Sequence, residues 1–352
     1  MAQAKLFERE ESAIIPAIKP PALRFKRRRD ARWDFRGTPA STGVYGIHPY
    51  PAMFHFRVIR QLIQTFSAAG DWIFDPFMGS GVVAVECLVK QRNFVGYDIN
   101  PLAVLIAKAR ATPLSPKRLL DTVNLIDEKY RKHEPEPVEF HNIRFWFDNE
   151  VINDLSRLRQ AIDSIDDEKV KNFFTVAFSE VVRRASKTEY SEFKLLRKKK
   201  REHPLDLIKT FKAICFKNIG LLADFYKALA NSKTKIVLEN RNILEPSPLK
   251  PESFDLVVTS PPYGDSRTTV AYGQFSRLSL RWLGLEETVD RTSLGGQAKT
   301  IVAGLPSAIL YESIERIGHK DEKRAKEVFS FYHDLLESIR AISPTVKRNG
   351  HV

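Results

Sequence analysis

No stretch of this 352-residue chain reaches the 18 or so uninterrupted apolar positions that a membrane-crossing helix needs. The opening residues, MAQAKLFEREESA, lack the apolar core of a secretion signal. Cysteine is scarce: Cys87 and Cys215 are the only two, which excludes a disulfide framework and offers no zinc spacing. Both read as buried thiols in a reducing compartment. No internal repeat is present, and neither is the G-x-G-x-x-G fingerprint of dinucleotide sites. Negative charge is also in deficit, with 43 acidic against 56 basic residues and a net charge of +13. A cytoplasmic protein with a polyanionic partner, nucleic acid above all, is the expectation, because basic groups displace condensed counterions. The basic excess clusters in FKRRRDARW (25–33) and RKKKREH (197–203).

What is present reads as an α/β chain. Residues 1–47 are basic, Pro-rich and without clear periodicity, and are expected to form an extended arm. Residues 48–70, HPYPAMFHFRVIRQLIQTFSAAG, carry Phe54, Val58, Ile59, Leu62, Ile63 and Phe66 at helical spacing, with prolines at the start and Gly70 at the end. The short apolar run Trp72-Ile73-Phe74 then ends in a glycine turn, a helix-like VVAVECLVK follows, and Asn93–Asp98 forms a second buried run ending in an acid. PLAVLIAKAR opens on Pro101, a favoured first helical position. Strand, glycine turn, helix, strand, acid, helix is the first half of a doubly wound, Rossmann-like sheet. Residues 112–234 are charged and helical in period, and KIVLEN (235–240) and FDLVVT (254–259) return the chain to strands. The reading is a 48–111 half and a 235–352 half of one α/β domain, separated by a helical insertion.

Two strand ends carry chemistry. In DPFMGSG, two glycines flanking a serine let the backbone bend and approach a ligand closely. Asp75 at that strand end could meet an ammonium group. Asp98, 23 positions later, stands near the offset at which such folds present an acid to ribose hydroxyls. A ligand with an amino-acid end and a ribose end, such as S-adenosylmethionine, satisfies both. The second strand end, TSPPYGDS (259–266), is stopped by two prolines that have no N–H to give to a ladder.

With DPFMGSG and TSPPY in one chain, the sequence resembles the DNA amino-methyltransferases, which transfer a methyl group from S-adenosylmethionine to the exocyclic nitrogen of cytosine or adenine. The resemblance covers roughly 48–111 and 235–350. It implies that Asp75, Pro76, Phe77, Gly79, Ser80 and Gly81 form the cofactor motif and that Asp98 and Ile99, in GYDINP, supply the ribose-binding acid and its neighbour. His48 and Pro49 open a segment resembling the one that packs beside the methionine end of the cofactor. TSPPY resembles the catalytic motif, whose first position is Ser in most cytosine-N4 enzymes and Asp in most adenine-N6 enzymes. Ser260, Pro261, Pro262 and Tyr263 are therefore the expected catalytic set. The motif order resembles the class with its target-recognition region between the two halves, here 112–234, and the implied context is restriction–modification.

The chemistry is consistent with these residue types. The amino nitrogen of cytosine is a poor nucleophile because its lone pair is delocalised into the ring. Acceptors for both N–H groups, Ser260 Oγ and the Pro261 carbonyl, would localise that lone pair, and the prolines hold them rigidly. Tyr263 is the expected stacking face for a base flipped out of double-stranded DNA. Neither a metal nor a strong base is required. Asp265, Ser266 and Arg267 are further substrate-side expectations. Cytosine-C5 chemistry is rejected, because neither cysteine follows a proline at a strand end. Adenine-N6 methylation, RNA guanine-N2 methylation and a non-catalytic DNA-recognition half are the alternatives. The helix over 327–342 runs into KRNGHV, expected as a turn leading to a fifth strand. Three further strands are expected from the family, supplied by a missing C-terminal segment or a second chain; 352 residues alone are expected to be weakly active or prone to aggregate.

Overall fold

The computed structural model describes residues 29–198, 205–264 and 270–352. The arm up to residue 28, most of RKKKREH and Asp265, Ser266 and Arg267 lie outside the described residues.

Five parallel strands form one sheet in the order β3-β2-β1-β4-β5. They are β1 (Trp72–Asp75), β2 (Asn93–Asp98), β3 (Ile236–Asn240), β4 (Phe254–Val257) and β5 (Val346–His351). The central runs β1, β2 and β4 are short and mostly buried because a parallel sheet is covered on both faces, whereas the edge strand β5, VKRNGH, is largely polar and exposed. Side chains alternate between those faces: Ile73, Phe94 and Leu256 join the larger core, whereas Phe74, Val95, Tyr97 and Phe254 join the smaller. Register places Asp75 beside Gly96 and Phe74 beside Val257, so the ends of β1, β2 and β4 finish together.

The helices before the insertion are α1 (Phe56–Phe66), α2 (Val82–Val89) and α3 (Pro101–Ala111). The insertion contributes α4 (Pro116–Lys132), the single turn α5 (Ile143–Trp146), α6 (Asn149–Asp163), α7 (Glu168–Ala185) and α8 (Leu207–Leu229). These do not stand apart from the sheet. Helix α7 packs on α3, and its Phe173, Phe174, Ala177 and Val181 share one apolar core with Ile106 of α3 and Ile73 of β1. After β4 come α9 (Tyr272–Leu283), the turn α10 (Val289–Thr292), α11 (Ala308–Gly318) and α12 (Glu322–Ile342). Ile342 at the end of α12 joins Ile243 in covering the other sheet face.

Three sequence expectations shift. The helix expected over 48–70 begins only at Phe56, because Pro49 and Pro51 keep the preceding residues out of helical geometry. The arm expected over 1–47 is packed from Val44 onward: Val44, Tyr45 and Ile47 are buried in the main core. At the C-terminal end, Lys347–Gly350 form strand rather than a turn, and the fifth strand is β5 itself, paired with β4. Register shifts between Phe254 and Leu256. A Cβ on Gly350 would sit 2.8 Å from Val346 Cγ1 and 3.1 Å from the Asp255 carbonyl oxygen, so the irregularity passes only with glycine there. Lys347 Nζ, 2.7 Å from Asp255 Oδ1, adds an ion pair across the two strands.

Gly81 caps the start of α2 with φ +81°, and a Cβ there would lie 2.6 Å from Ala107 Cβ and 2.8 Å from Ala107 Cα. Left-handed strain and overpacking together set the expectation for Gly81→Ala: a loss of ~2–4 kcal/mol, read by urea unfolding. An unchanged midpoint would contradict this account of the α2–α3 contact.

Candidate active site

A cavity of about 1080 Å³, counting its open mouth, lies at the C-terminal ends of β1, β2 and β4. This is where open α/β sheets place ligands. Its floor is the turn after β1, from Pro76 to Ser80, and one side is Asp98, Ile99 and Asn100 after β2. Ser260, Pro262 and Tyr263, after β4, stand at the same cavity. Tyr50–Phe54 and Tyr272 complete one flank, while Asn242 and the Val289–Leu294 stretch form the wall opposite. The sequence-expected glycine turn, acid and Ser-Pro-Pro-Tyr turn are therefore brought to one place.

Two acids line the cavity, and of these Asp290 is paired with Arg277, which leaves Asp98. Its Oδ2 accepts from Gly79 N–H and its Oδ1 from Asn100 N–H, each at 2.8 Å. Among the described residues no cationic side chain pairs with it. Burial, only partly offset by those two bonds, pushes its pKa up to about 6. Asn100 caps α3 through Leu102 N–H, and its Nδ2 donates to Tyr50 Oη at 3.2 Å and Ser276 Oγ at 2.8 Å. The tyrosine ring is thereby fixed against the cavity.

Asp75 does not line the cavity. Its Oδ1 accepts from Phe77 N–H at 3.0 Å and from the Thr259 hydroxyl at 2.7 Å. The carboxylate thus points across to β4, and burial raises its pKa to about 7. Asp75 Oδ1 is thus engaged within the chain rather than open to the cavity. His48 and Pro49 are also off the cavity, displaced by two positions from the residues that line it. The His48 ring is buried with Nε2 2.8 Å from Ser179 Oγ of α7 and Nδ1 2.5 Å from the Pro49 carbonyl oxygen. Burial lowers its pKa to about 4 and keeps it neutral. Gly81 is buried behind the turn, and Pro261 is exposed beside the cavity without lining it. Ser260 and Tyr263 are exposed at the mouth, with Tyr263 54% accessible, which suits contact with something larger than the cavity.

Arg110 was not foreseen from sequence, where it looks like one more charge at a helix end. It is fully buried in α3. One Nη donates to the Ser80 carbonyl at 2.9 Å and to Ser80 Oγ at 2.6 Å. The other donates to the carbonyls of Tyr45 and His48, at 2.7 and 2.8 Å. Its guanidinium therefore holds the glycine turn against the 45–48 segment, and burial lowers its pKa to about 9. Tyr50, Tyr272 and Asn100 were likewise missed; the two tyrosines lie 222 positions apart in sequence and meet, rings 5.9 Å apart, only through the fold.

A family model described as DNA methylase, of the N6/N4 type, matches residues 14–109. Type II methyltransferase M.MvaI of Kocuria varians is 37% identical over 350 residues, covering 90% of this chain and 77% of that protein. The chain belongs to the N6/N4 DNA methylase family. Type II methyltransferase M.MjaII of Methanocaldococcus jannaschii is 30% identical over 180 residues, 47% of this chain and 34% of the relative. Type II methyltransferase M.Cfr9I of Citrobacter freundii is 42% identical over 59 residues, 17% and 20% of the two chains. No solved structure matches significantly. The family match takes in residues 14–47, which the sequence alone set aside as an arm.

Methyltransferases of this family use S-adenosylmethionine generally. The cavity of this DNA methylase fits such a ligand: it offers a carboxylate without a cationic partner, a glycine turn open to close approach and apolar walls from Phe54, Phe77, Ile99 and Leu294. No helix among the described residues is long and apolar enough to cross a membrane, and no metal-binding cluster of His, Cys, Asp or Glu occurs among them.

Asp98 carries a pH signature. Its folded pKa of about 6 lies above the ordinary 3.8, so between those values the folded chain keeps a proton that the unfolded chain has lost. Its contribution therefore weakens the fold as pH rises through that window. In urea unfolding without ligand, Asp98→Asn should gain on the wild type from about pH 4 to about pH 7, by on the order of 3 kcal/mol at most. A stability difference that does not change with pH would contradict it.

Proposed function

We propose that the protein methylates the exocyclic N4 of a flipped cytosine in double-stranded DNA, at a specific sequence, with S-adenosylmethionine as donor. The observation that carries this reading is the meeting of Asp98, the Pro76–Ser80 turn and Ser260, Pro262 and Tyr263 at one cavity. Relatives of similar sequence that are type II methyltransferases support a restriction–modification context.

S-adenosylmethionine supplies a methyl group on a positively charged sulfur. In the proposed complex Asp98 accepts from the ribose hydroxyls, and the glycine turn brings backbone close to the amino-acid end. Asp75 has a positioning role through Thr259 rather than a direct contact. Ser260 Oγ and the Pro261 carbonyl accept the two amino N–H groups of the base, drawing the nitrogen toward tetrahedral geometry and localising its lone pair. Tyr263 offers a stacking face at the mouth, with base–aromatic stacking worth ~1–3 kcal/mol. As the nitrogen–methyl bond forms, the methyl–sulfur bond would break and leave a neutral thioether, and the amino proton, acidic only then, would pass to solvent water, so no strong base is needed. Serine at position 260, where most adenine-N6 enzymes have aspartate, favours cytosine.

The proposed target-recognition region is the insertion, and its edge nearest the cavity is a short hairpin closed by the Thr188–Arg197 bridge. Phe193 lies 5.7 Å from Phe275 of α9, and Leu195 N–H donates to Gln274 Oε1 at 3.3 Å. Tyr272, at the start of the same helix, lines the cavity. Exposed Phe193 and Leu196, with Arg197 laid 4.4 Å over the Phe145 ring, form a mixed apolar and cationic ridge suited to DNA beside the flipped base.

The test is nucleoside analysis of DNA after incubation with labelled S-adenosylmethionine. N4-methylcytosine is the expected product, and N6-methyladenine overturns the choice of base. Ser260→Ala should lower the single-turnover rate by ~10²-fold or more with little change in cofactor affinity. Full activity in that variant would remove the proposed mechanism.

A further inference from the structure

The cavity has two walls that come from distant parts of the chain, and both rest on α12. One is the turn at Ser260–Gly264. The other is the stretch from Val289 to Leu294, which continues as Gly295-Gly296-Gln297-Ala298-Lys299 along the surface of α12. Gly295 N–H donates to Asp334 Oδ2 at 2.9 Å, and Lys299 N–H donates to Ser330 Oγ at 2.8 Å. Lys299 Nζ lies 2.6 Å from Asp334 Oδ1. Both α12 side chains are buried, Ser330 completely. The stretch is thus pinned by three polar contacts within one and a half turns of a single helix.

The approach is too close for any side chain at position 295. Gly295 has φ +70°, and a Cβ there would lie 3.0 Å from the backbone N, the Cα and the Cβ of Phe331. Gly296 is equally confined, since a Cβ would lie 2.6 Å from the carbonyl oxygens of Asp290 and Arg291. The Phe331 ring meets the other wall: a Cβ on Gly264 would be 3.1 Å from it. Gly264 follows Tyr263 directly. One residue of α12 therefore touches the backbone immediately after each wall.

We infer that Asp334 and Phe331 of α12 are positioning residues that set the distance between the Ser293–Leu294 wall and the Ser260–Tyr263 turn. Neither lines the cavity; each touches backbone that directly follows the residues that do. Asp334 fixes the wall through Gly295 N–H and Lys299, and Phe331 supports the turn through Gly264. Helix α12 leads into β5 through the 3-10 turn Ser343–Thr345, so its placement is set by the sheet and passes on to both walls. The cavity width at its mouth is then a property of one rigid element: the Ser293–Leu294 wall cannot retreat without losing polar contacts to the buried Asp334 carboxylate, and the Ser260–Tyr263 turn rests on the Phe331 ring.

The inference rests on the cofactor assignment above, and calorimetric binding of S-adenosylmethionine in the absence of DNA separates the two. Failure of the wild type to bind would overturn the cofactor assignment itself, and this inference with it. Given wild-type binding, Asp334→Ala should raise the cofactor Kd by ~10-fold, because Gly295 N–H and Lys299 lose their acceptor. Gly295→Ala, which touches no ligand, should raise it similarly by displacing Leu294. Asp334→Asn keeps an oxygen for Gly295 N–H and should restore most of the affinity. Phe331→Ala should lower the single-turnover methylation rate by ~10-fold while the cofactor Kd changes less than in Asp334→Ala. A merely structural helix would instead lower the thermal midpoint of these variants while leaving Kd and single-turnover rate at wild-type values. That outcome would overturn the inference. Should Asp334→Ala fail to fold, Gly295→Ala and Asp334→Asn decide it by the same comparison.

Discussion

A hydrogen bond of 2.7 Å between residues 184 positions apart, from the Thr259 hydroxyl to the Asp75 carboxylate, ties the ends of β1 and β4 together. The strands pair in parallel just before it, Phe74 beside Val257, and Val258 N–H donates to the Phe74 carbonyl at 3.1 Å. Beyond that point each chain leaves the sheet, one into the glycine turn and the other into Ser-Pro-Pro. Backbone pairing cannot hold them further, because Pro261 and Pro262 have no N–H to contribute. The Asp75 side chain does so instead, bonding Phe77 N–H on its own turn and Thr259 on the other. Burial makes an acid expensive there, and its raised pKa records that cost.

The same device, a buried polar group bonding to a distant part of the chain, recurs around the cavity. Arg110 spans from Ser80 to the carbonyls of Tyr45 and His48. His48 reaches Ser179 in the insertion. Glu86 of α2, fully buried, accepts from Arg60 of α1 at 2.8 and 2.9 Å and from the Tyr45 hydroxyl. Asp334 reaches Gly295 from α12. Hydrophobic burial supplies most of the driving force for folding but has no direction. These hydrogen bonds are directional, and they fix irregular segments that no strand or helix regulates. The insertion is joined to the segments behind the cavity by such contacts, among them His48 and Ser279 Oγ, which donates to the Ser179 carbonyl at 3.1 Å.

Much of this was legible in sequence because it depends on short-range pattern. Apolar runs ending in DPFMGSG and TSPPY gave the strand ends, and Pro101 marked the first position of α3, as found. Asp98 stood at the spacing expected of an acid beside the cavity and lines it. What was not legible depends on tertiary partners. His48 and Asp75 carry the residue types expected of ligand contacts, yet each is turned away by a neighbour, Ser179 and Thr259, from another part of the chain. Arg110 has no local signal at all, since nothing in LIAKARATP says that this arginine rather than Lys108 is buried. The start of α1 was placed eight residues early because apolar spacing continues back to Phe54 while the prolines forbid the helix. Strand β5 was misplaced because Lys347-Arg348-Asn349-Gly350 looks like a turn and becomes strand only against β4.

The account's central claim is that the glycine turn and the Ser-Pro-Pro turn work as one site because Asp75 and Thr259 hold them together. A double-mutant cycle on single-turnover methyl transfer, with Asp75→Ala, Thr259→Val and both, tests it most directly. The claim predicts strong non-additivity, with a coupling of ~1 kcal/mol or more and a double variant scarcely slower than the worse single one. Effects that simply add would show that the two turns act independently, and would contradict it.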